Sequence, residues 1–262
     1  MTFAVWFLIL GLVIGSFLNV CIYRIPNHKS IVAPPSSCGN CHTHLRPIDL
    51  IPVISYLILK GKCRYCHARI AFRYPLVELT NGFLYMIVYD KYGVSIETIF
   101  ACVFVSFLIV VSFIDLDHMI IPDQVVVFGI IMGGILSLYH FKEAYTIYMG
   151  SSLYNGIIGM FSGTAIVLLI ALVSMLIYGE DGGLGMGDVK FFIPIGLFLG
   201  WQLTLLTLWL SFIYGGIVGI VLLFVFKKDR KMAMPFGPFI ALGALTSLFW
   251  GKTIITMWLY RT

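Results

Sequence analysis

Long uncharged apolar runs recur along this chain, and they constrain its fold more than any other feature. A helix needs about 20 apolar residues to cross the hydrocarbon of a bilayer, and residues 3–22 form the first such run. The composition agrees, since 60% of the 262 residues are hydrophobic and only 11% are charged. A soluble domain does not have this balance. The sequence therefore predicts an all-α polytopic membrane protein.

About eight transmembrane helices are predicted from these runs. The first run has no basic region before it and no small-residue cleavage site after it, so it predicts a retained helix and not a signal peptide. The runs cover residues 2–23, 75–90, 96–114, 124–140, 153–178, 189–200, 203–226 and 237–258. The sixth run, 189–200, contains Pro194 and has too few residues to span, so it predicts a short or re-entrant helix.

The basic residues predict the orientation. The segment 24–73 holds eight of the 17 Lys and Arg and a single acid, Asp49. Basic loops stay on the cytoplasmic side, so the N-terminus is predicted outside and this segment inside. Alternating crossings then place the Asp115 region and the 179–188 loop inside, and 142–152 outside. The basic loop 227–231 also falls inside, which is an independent check on the count.

Four of the six cysteines lie in the one soluble-looking segment, residues 26–73. They form two Cys-x2-Cys pairs, the spacing of a zinc ribbon in which four thiolates surround one tetrahedral ion. In a reducing cytoplasm a metal is favoured over disulfides. We expect a structural Zn²⁺ bound by Cys38, Cys41, Cys63 and Cys66.

Each cysteine pair is followed by a histidine, His42 or His67, which is also the pattern of c-type haem attachment. Haem attachment belongs outside the membrane, whereas the charge of this loop places it inside. The zinc interpretation is therefore preferred.

Acidic residues mark two helix boundaries. Asp115 follows the uncharged segment 98–114, where an ionised carboxylate is costly without a purpose or a partner. Asp188 ends a glycine-rich turn before another apolar run. Two carboxylates that share one proton can activate water, so the pair is a candidate aspartic protease site. Asp117 is the reserve for the first acid.

Four nearby residues are candidate supporting groups. Gly185 and Gly187 would let a peptide backbone approach Asp188 closely. Lys190 either tunes the site or marks the inner interface, and Asp123 either caps a helix or acts in the site.

The competing function is a transporter or channel, in which Asp115, Asp188 and Glu78 would form an ion path. Glu78 could equally pair with Arg73. The acids cluster at one interface and no internal repeat is apparent, which favours the protease. No basic stretch is interleaved with base-stacking aromatics, so no nucleic acid partner is expected. Glu180 and Asp181 are expected to be solvated.

Taken together, these motifs resemble those of the bacterial type IV prepilin peptidases, polytopic aspartic proteases of the GxGD kind. The matching stretches are residues 15–26, the four cysteines, 115–123 and 185–190. One departure is the additional-looking segment 180–184 before Asp188.

The resemblance implies a bifunctional enzyme of the bacterial inner membrane. It would remove the basic leader of prepilins or pseudopilins after a glycine, at the cytoplasmic face. It would then methylate the new amino group with S-adenosylmethionine, for which the sequence shows no binding site. Asp115 and Asp188 would be catalytic. The implied division is a first transmembrane helix (1–25), a cytoplasmic four-cysteine domain linked to methyl transfer (26–73) and a transmembrane peptidase domain (74–262).

Overall fold

The computed structural model describes residues 2–139, 147–149, 154–179, 185–224 and 234–259. Within these ranges no strand is present beyond two isolated bridges, so the all-α prediction is confirmed. The helices are α1 Thr2–Arg24, a 3-10 turn Pro47–Leu50, α2 Ile54–Ile58, α3 Arg73–Tyr92, α4 Ile96–His118, α5 Asp123–Tyr139, α6 Tyr154–Tyr178, α7 Met186–Phe224 and α8 Gly237–Leu259.

Five of these helices, α1, α4, α6, α7 and α8, are long and apolar enough to cross a membrane. Helix α5 is apolar but shorter. Helix α3 corresponds to the predicted span 75–90, but polar residues including Glu78 and Asn81 make it less apolar. The chain is a multi-pass membrane protein. The predicted loop 227–231, most of 142–152, and Glu180 and Asp181 lie outside the described residues.

The chain forms two compact units, Met1–Val110 and Val111–Thr262. In the first unit, α1 packs closely on α3 through small residues. A Cβ on Gly11 would lie 2.7 Å from the Gly82 Cα, so only a glycine allows this approach. The Asn81 side chain donates to the Gly11 carbonyl at 2.7 Å. Small residues and interhelical hydrogen bonds are the usual means of helix association in lipid, where hydrophobicity gives no driving force.

In the second unit, α7 folds back on itself at Gly200, whose backbone is not helical (φ 75°, ψ 171°). A Cβ on Gly163 of α6 would lie 2.5 Å from Thr204 Cγ2 and 3.2 Å from Phe192 Cδ1. A straight helix would separate residues 192 and 204 by about 18 Å. The two arms, 186–199 and 201–224, therefore form a hairpin, and they correspond to the two predicted runs 189–200 and 203–226.

The hairpin is packed on both sides. Helix α6 lies against the first arm, where a Cβ on Gly196 would come within 2.2 Å of the Met160 nitrogen. Helix α8 lies against the second arm, where a Cβ on Gly243 would lie 2.7 Å from the Thr207 carbonyl oxygen. This packing determines where α7 and α8 begin, and both starting points belong to the site described next.

Candidate active site and metal centre

Asp115 lies near the C-terminal end of α4 and is only 5% exposed. Its Oδ2 accepts a hydrogen bond from the backbone N–H of Gly237 at 2.7 Å. Gly237 is the first residue of α8, so the donor is one of the N–H groups that have no partner within their own helix. The Asp115 carboxylate therefore accepts a hydrogen bond from the first turn of a helix that is distant in sequence.

Asp188 lies in the first turn of α7 and is 8% exposed. Its Oδ2 accepts a hydrogen bond at 3.1 Å from the N–H of Gly185, which directly precedes the helix. This contact is one half of a capping box, in which a side chain of the first turn reaches back to the N-cap nitrogen. The local sequence thus explains the position of Asp188 without any tertiary contact.

The structure brings the two aspartates together within the unit Val111–Thr262. Asp115 lies within electrostatic range of Asp188. A Cβ on Gly187 would be 3.4 Å from the Ile121 Cβ, so the start of α7 lies against the segment that follows α4. Two buried carboxylates placed close together can share one proton.

The reserve residue Asp117 is exposed, unlike Asp115. Two residues along a helix turn the side chain through about 200°, so the two acids point to different sides of α4. Burial and electrostatic proximity to Asp188 favour Asp115 as the first acid. Its catalytic role remains a prediction.

The two charged supporting residues pair with each other. Lys190 Nζ lies 2.7 Å from Asp123 Oδ1, with side-chain exposures of 46% and 72%. Asp123 is the first residue of α5, so this exposed ion pair joins the beginning of α5 to α7. Exposed pairs of this kind contribute little to stability, about 0–1 kcal/mol. The geometry favours a structural interpretation of both residues.

The four cysteines predicted to bind metal form one cluster. Their sulfur atoms all lie within 4.8 Å of one another, and the Sγ atoms of Cys38 and Cys66 are 3.8 Å apart. A tetrahedral zinc site with Zn–S bonds of about 2.3 Å has sulfur–sulfur edges of about 3.8 Å. The donor set and its spacing therefore fit one zinc ion.

The two cysteine pairs fold alike. In each, the N–H of the first cysteine donates to a carbonyl five residues later, Thr43 at 3.0 Å and Ala68 at 2.9 Å. The following histidines adopt positive φ, 56° at His42 and 57° at His67. Histidine is among the residues enriched there, which gives both histidines a turn-forming role.

Hydrogen bonds prepare one of these thiols to be a ligand. Donors on the Ala68 backbone and the Asn40 side chain lower the pKa of Cys66 to about 6. A thiolate, and not a thiol, is the form that binds metal. The geometry of this cluster thus supports the predicted metal ligands.

Comparison with known proteins shows which family the chain is similar to. The model of the bacterial peptidase A24 N-terminal domain matches residues 9–92, and that of the type IV leader peptidase family matches residues 102–220. A prepilin leader peptidase/N-methyltransferase of Bacillus subtilis (strain 168) is 34% identical over 251 residues, covering 96% of both chains. The chain belongs to the type IV leader peptidase family.

Other members of the family are similarly related. The prepilin leader peptidase/N-methyltransferase of Pseudomonas putida is 33% identical over 268 residues, which cover 94% of this chain and 90% of the relative. That of Myxococcus xanthus (strain DK1622) is 36% identical over 221 residues, which cover 84% of this chain and 63% of the relative. No solved structure matches the chain.

The candidate site residues fall within two different family matches. The N-terminal domain match includes the cysteine cluster and Glu78, whereas the peptidase match includes Asp115 and Asp188. Gly237, which contacts Asp115 directly, lies beyond both matches.

Sequence reasoning missed Gly237. Its contact with Asp115 spans 122 residues, and no periodicity or local motif reports a contact of that range. The available signal was the turn Pro235-Phe-Gly-Pro238, because prolines and a glycine at a helix start indicate a defined entry into α8.

Glu78, the isolated acid of α3, is buried and accepts a hydrogen bond from the Val53 N–H at 2.8 Å. Val53 has φ 61° and ψ −49°, and the Ile54 nitrogen donates to the Pro52 carbonyl at 2.5 Å. This is a γ-turn with positive φ, which is rare and strained for a β-branched residue. Glu78 thus anchors the cysteine-containing segment to α3.

Proposed function

We propose that this protein is a membrane aspartic endopeptidase that removes the basic leader of prepilins or pseudopilins after a glycine. It then methylates the new N-terminal amine with S-adenosylmethionine. The observation that carries the peptidase is that Asp115 and Asp188 are both buried and lie within electrostatic range of each other in one compact unit. The names of relatives that match nearly the whole chain support both activities. No finding favours a transporter.

The hydrolysis needs only the two carboxyl groups and one water molecule. One aspartate is ionised and takes a proton from water as the water oxygen bonds to the peptide carbonyl carbon. The other, protonated, gives its proton to the carbonyl oxygen, so a neutral diol forms without a covalent enzyme intermediate. The C–N bond then breaks as the first aspartate protonates the nitrogen and the diol returns a proton to the second. Both aspartates end in their starting states.

Such a substrate suits a site at the edge of a bilayer. A prepilin has a basic leader followed by an apolar helix, so it can lie in the membrane with its scissile bond at the inner interface. We propose that the cysteine cluster and both aspartates face the cytoplasm and that the N-terminus lies outside. Cysteines labelled by a membrane-impermeant thiol reagent in intact cells would contradict this orientation.

The methyltransferase activity is assigned to the N-terminal half. We propose that Cys38, Cys41, Cys63 and Cys66 bind one Zn²⁺, which would supply the folding free energy that a segment of this length cannot gain from its own core. Here the metal is structural. The methyl group comes from S-adenosylmethionine, and the amine exposed by cleavage accepts it.

One assay tests the peptidase and the methyltransferase together. Purified protein in detergent is incubated with a prepilin-like peptide, with and without S-adenosylmethionine, and the products are measured by mass spectrometry. We expect cleavage after glycine in both cases and an added methyl group only with the donor. An intact peptide in all samples would contradict the proposal.

The aspartates are tested by substitution in the same assay. Asp115→Ala and Asp188→Ala are expected to abolish cleavage while membrane insertion is unchanged. Substantial processing by either variant would refute the assignment of that residue.

A further inference from the structure

The beginning of α8 supplies a contact to the peptidase site that neither family model includes. The Gly237 N–H donates to Asp115 Oδ2 at 2.7 Å, in a buried environment. A backbone N–H placed against a carboxylate favours the ionised form, and a hydrogen bond to an ionised acceptor is about twice as strong as a neutral one. The N-terminal end of a helix also favours a negative charge placed against it.

Space, and not backbone conformation, requires glycine at this position. Gly237 is not among the residues with positive φ. A Cβ there would lie 2.7 Å from Asp115 Oδ2 and 3.1 Å from Asp115 Cγ. Any other residue would therefore push the carboxyl group out of its present position.

The donor is held rigidly by its neighbours. The Phe236 ring packs against Phe212 and Phe239, with centroids 5.5 and 6.2 Å apart. A Cβ on Gly215 would come within 3.0 Å of the Phe236 ring, so the second arm of α7 leaves just enough room for this ring. A donor fixed before reaction begins costs no reorganisation when charge develops.

The two aspartates differ in how their backbone donors are supplied. Asp188 accepts a longer bond, 3.1 Å, from Gly185 in its own turn. Asp115 accepts the shorter bond from a separate helix. Because hydrogen bonding to the charged form favours ionisation, this difference distinguishes the two acids.

We propose that Gly237 is a positioning residue of the peptidase site, whose N–H holds Asp115 as the ionised member of the pair. Asp115 then takes the proton from water, and Asp188 carries the proton that is given to the substrate carbonyl. This inference rests on the proposed peptidase function. Gly237 acts only through Asp115.

The experiment compares Gly237→Ala with the matched control Gly243→Ala. Both place a methyl group on α8 at a position where it would contact an oxygen at 2.7 Å, but Gly243 faces Ser211 and Thr207 in place of Asp115. The kinetics of peptide cleavage are measured across pH for both variants and the unsubstituted enzyme. Size-exclusion elution and thermal unfolding report on folding.

For Gly237→Ala we expect kcat to fall about 10- to 100-fold, the low end of what loss of a fixed donor costs, with KM within about 3-fold. The acidic limb of the pH–rate profile should move to higher pH, because the ionised base has lost its donor. Gly243→Ala should lower thermal stability, because its methyl group would meet the Thr207 backbone oxygen, but it should keep the pH–rate profile of the unsubstituted enzyme. Phe236→Leu removes ring contacts beside Gly237 and adds no atom beside Asp115. It should lower kcat and move the acidic limb of the pH–rate profile as Gly237→Ala does, but by a smaller factor.

Several results would overturn the inference. They are an unchanged kcat and pH profile in Gly237→Ala, an equal shift of the pH profile in Gly243→Ala, or, where Gly237→Ala does not fold, an unchanged profile in Phe236→Leu. A failure of the unsubstituted enzyme to cleave the peptide would instead contradict the proposed function, so the two failures are distinguishable.

Discussion

Single residues at the site show how burial separates acids that look equivalent in sequence. Asp115 and Asp117 are two residues apart on one helix, yet only the first is buried and hydrogen-bonded to Gly237. Removing a carboxylate from water is costly unless donors replace the lost hydration. Burial with a donor and a second acid nearby is what distinguishes a candidate catalytic residue from a residue at a helix end.

The difference between these acids predicts different effects of the same substitution. Asp117→Asn should keep cleavage within about 3-fold of the unsubstituted enzyme, because the side chain is exposed and lies on another side of α4. Asp115→Asn should lower kcat/KM by at least about 10³-fold, since the amide cannot accept the proton from water. Steady-state cleavage kinetics of both variants test this prediction. A large loss of kcat/KM in Asp117→Asn and a small one in Asp115→Asn would make Asp117 the first acid.

Gly185 allows a test of how closely substrate approaches. A Cβ there would have nothing nearer than 3.8 Å, with Asp188 Oδ2 at 3.9 Å. Gly185→Ala should therefore fold normally but raise KM for the peptide, because the methyl group occupies the open side of Asp188. Gly134→Ala is the control, as nothing lies within 4 Å of its Cβ. An unchanged KM would show that the substrate does not pass over Gly185.

At the scale of helices, glycines set the distances between backbones. Gly196 on the first arm of α7 lies against Gly159 and Met160 of α6, and Gly163 lies against both arms. These contacts hold the hairpin whose first turn contains Asp188. The loss of stability on replacing a glycine by alanine therefore depends on its position, because some glycines face a neighbouring backbone and others face open space.

This contrast predicts the stability of two variants of one helix. In Gly196→Ala the new Cβ would lie 2.2 Å from a backbone nitrogen, and a backbone cannot move aside as a side chain does. We expect a loss of about 1–3 kcal/mol or more. In Gly216→Ala nothing lies within 4 Å, so stability should be unchanged or slightly increased. Thermal unfolding in a fixed detergent compares them, and equal midpoints would contradict the packing of α6 on α7.

The whole molecule consists of two units with different chemistry. The unit Met1–Val110 contains the cysteine cluster and Glu78, whereas Val111–Thr262 contains both aspartates with their donors Gly185 and Gly237. The peptidase groups therefore lie entirely within one unit. The predicted division at residues 25 and 73 is a functional one and remains a prediction.

Because the cysteine cluster and the aspartates lie in different units, loss of the metal should affect the two activities differently. Protein never exposed to chelator should contain about one zinc per chain by elemental analysis, since four thiolates complete one tetrahedral site. Replacing Cys38 and Cys66 together by serine should remove the zinc and make residues 26–72 sensitive to proteolysis. Methyl transfer should fall far more than cleavage. Zinc-free unsubstituted protein, or equal loss of both activities, would contradict this assignment.

Much of the architecture follows from local features of the chain. Apolar runs identify the helices because a bilayer requires about 20 such residues. The paired cysteines indicate a metal site because their spacing suits tetrahedral coordination. Asp188 is placed by its own turn. In these cases the determining contacts lie within a few residues, where periodicity and spacing are informative.

Only the tertiary structure separated the buried Asp115 from the exposed Asp117 and showed what holds Asp115. Asp115 and Asp117 share a motif, and their different burial depends on which side of the C-terminal end of α4 is covered by other helices. The Gly237 donor is 122 residues away from Asp115, the reversal at Gly200 determines where the arms of α7 lie, and Glu78 meets a strained turn at Val53. Contacts between distant segments arise from the simultaneous packing of several helices, and no local pattern in a chain encodes the result.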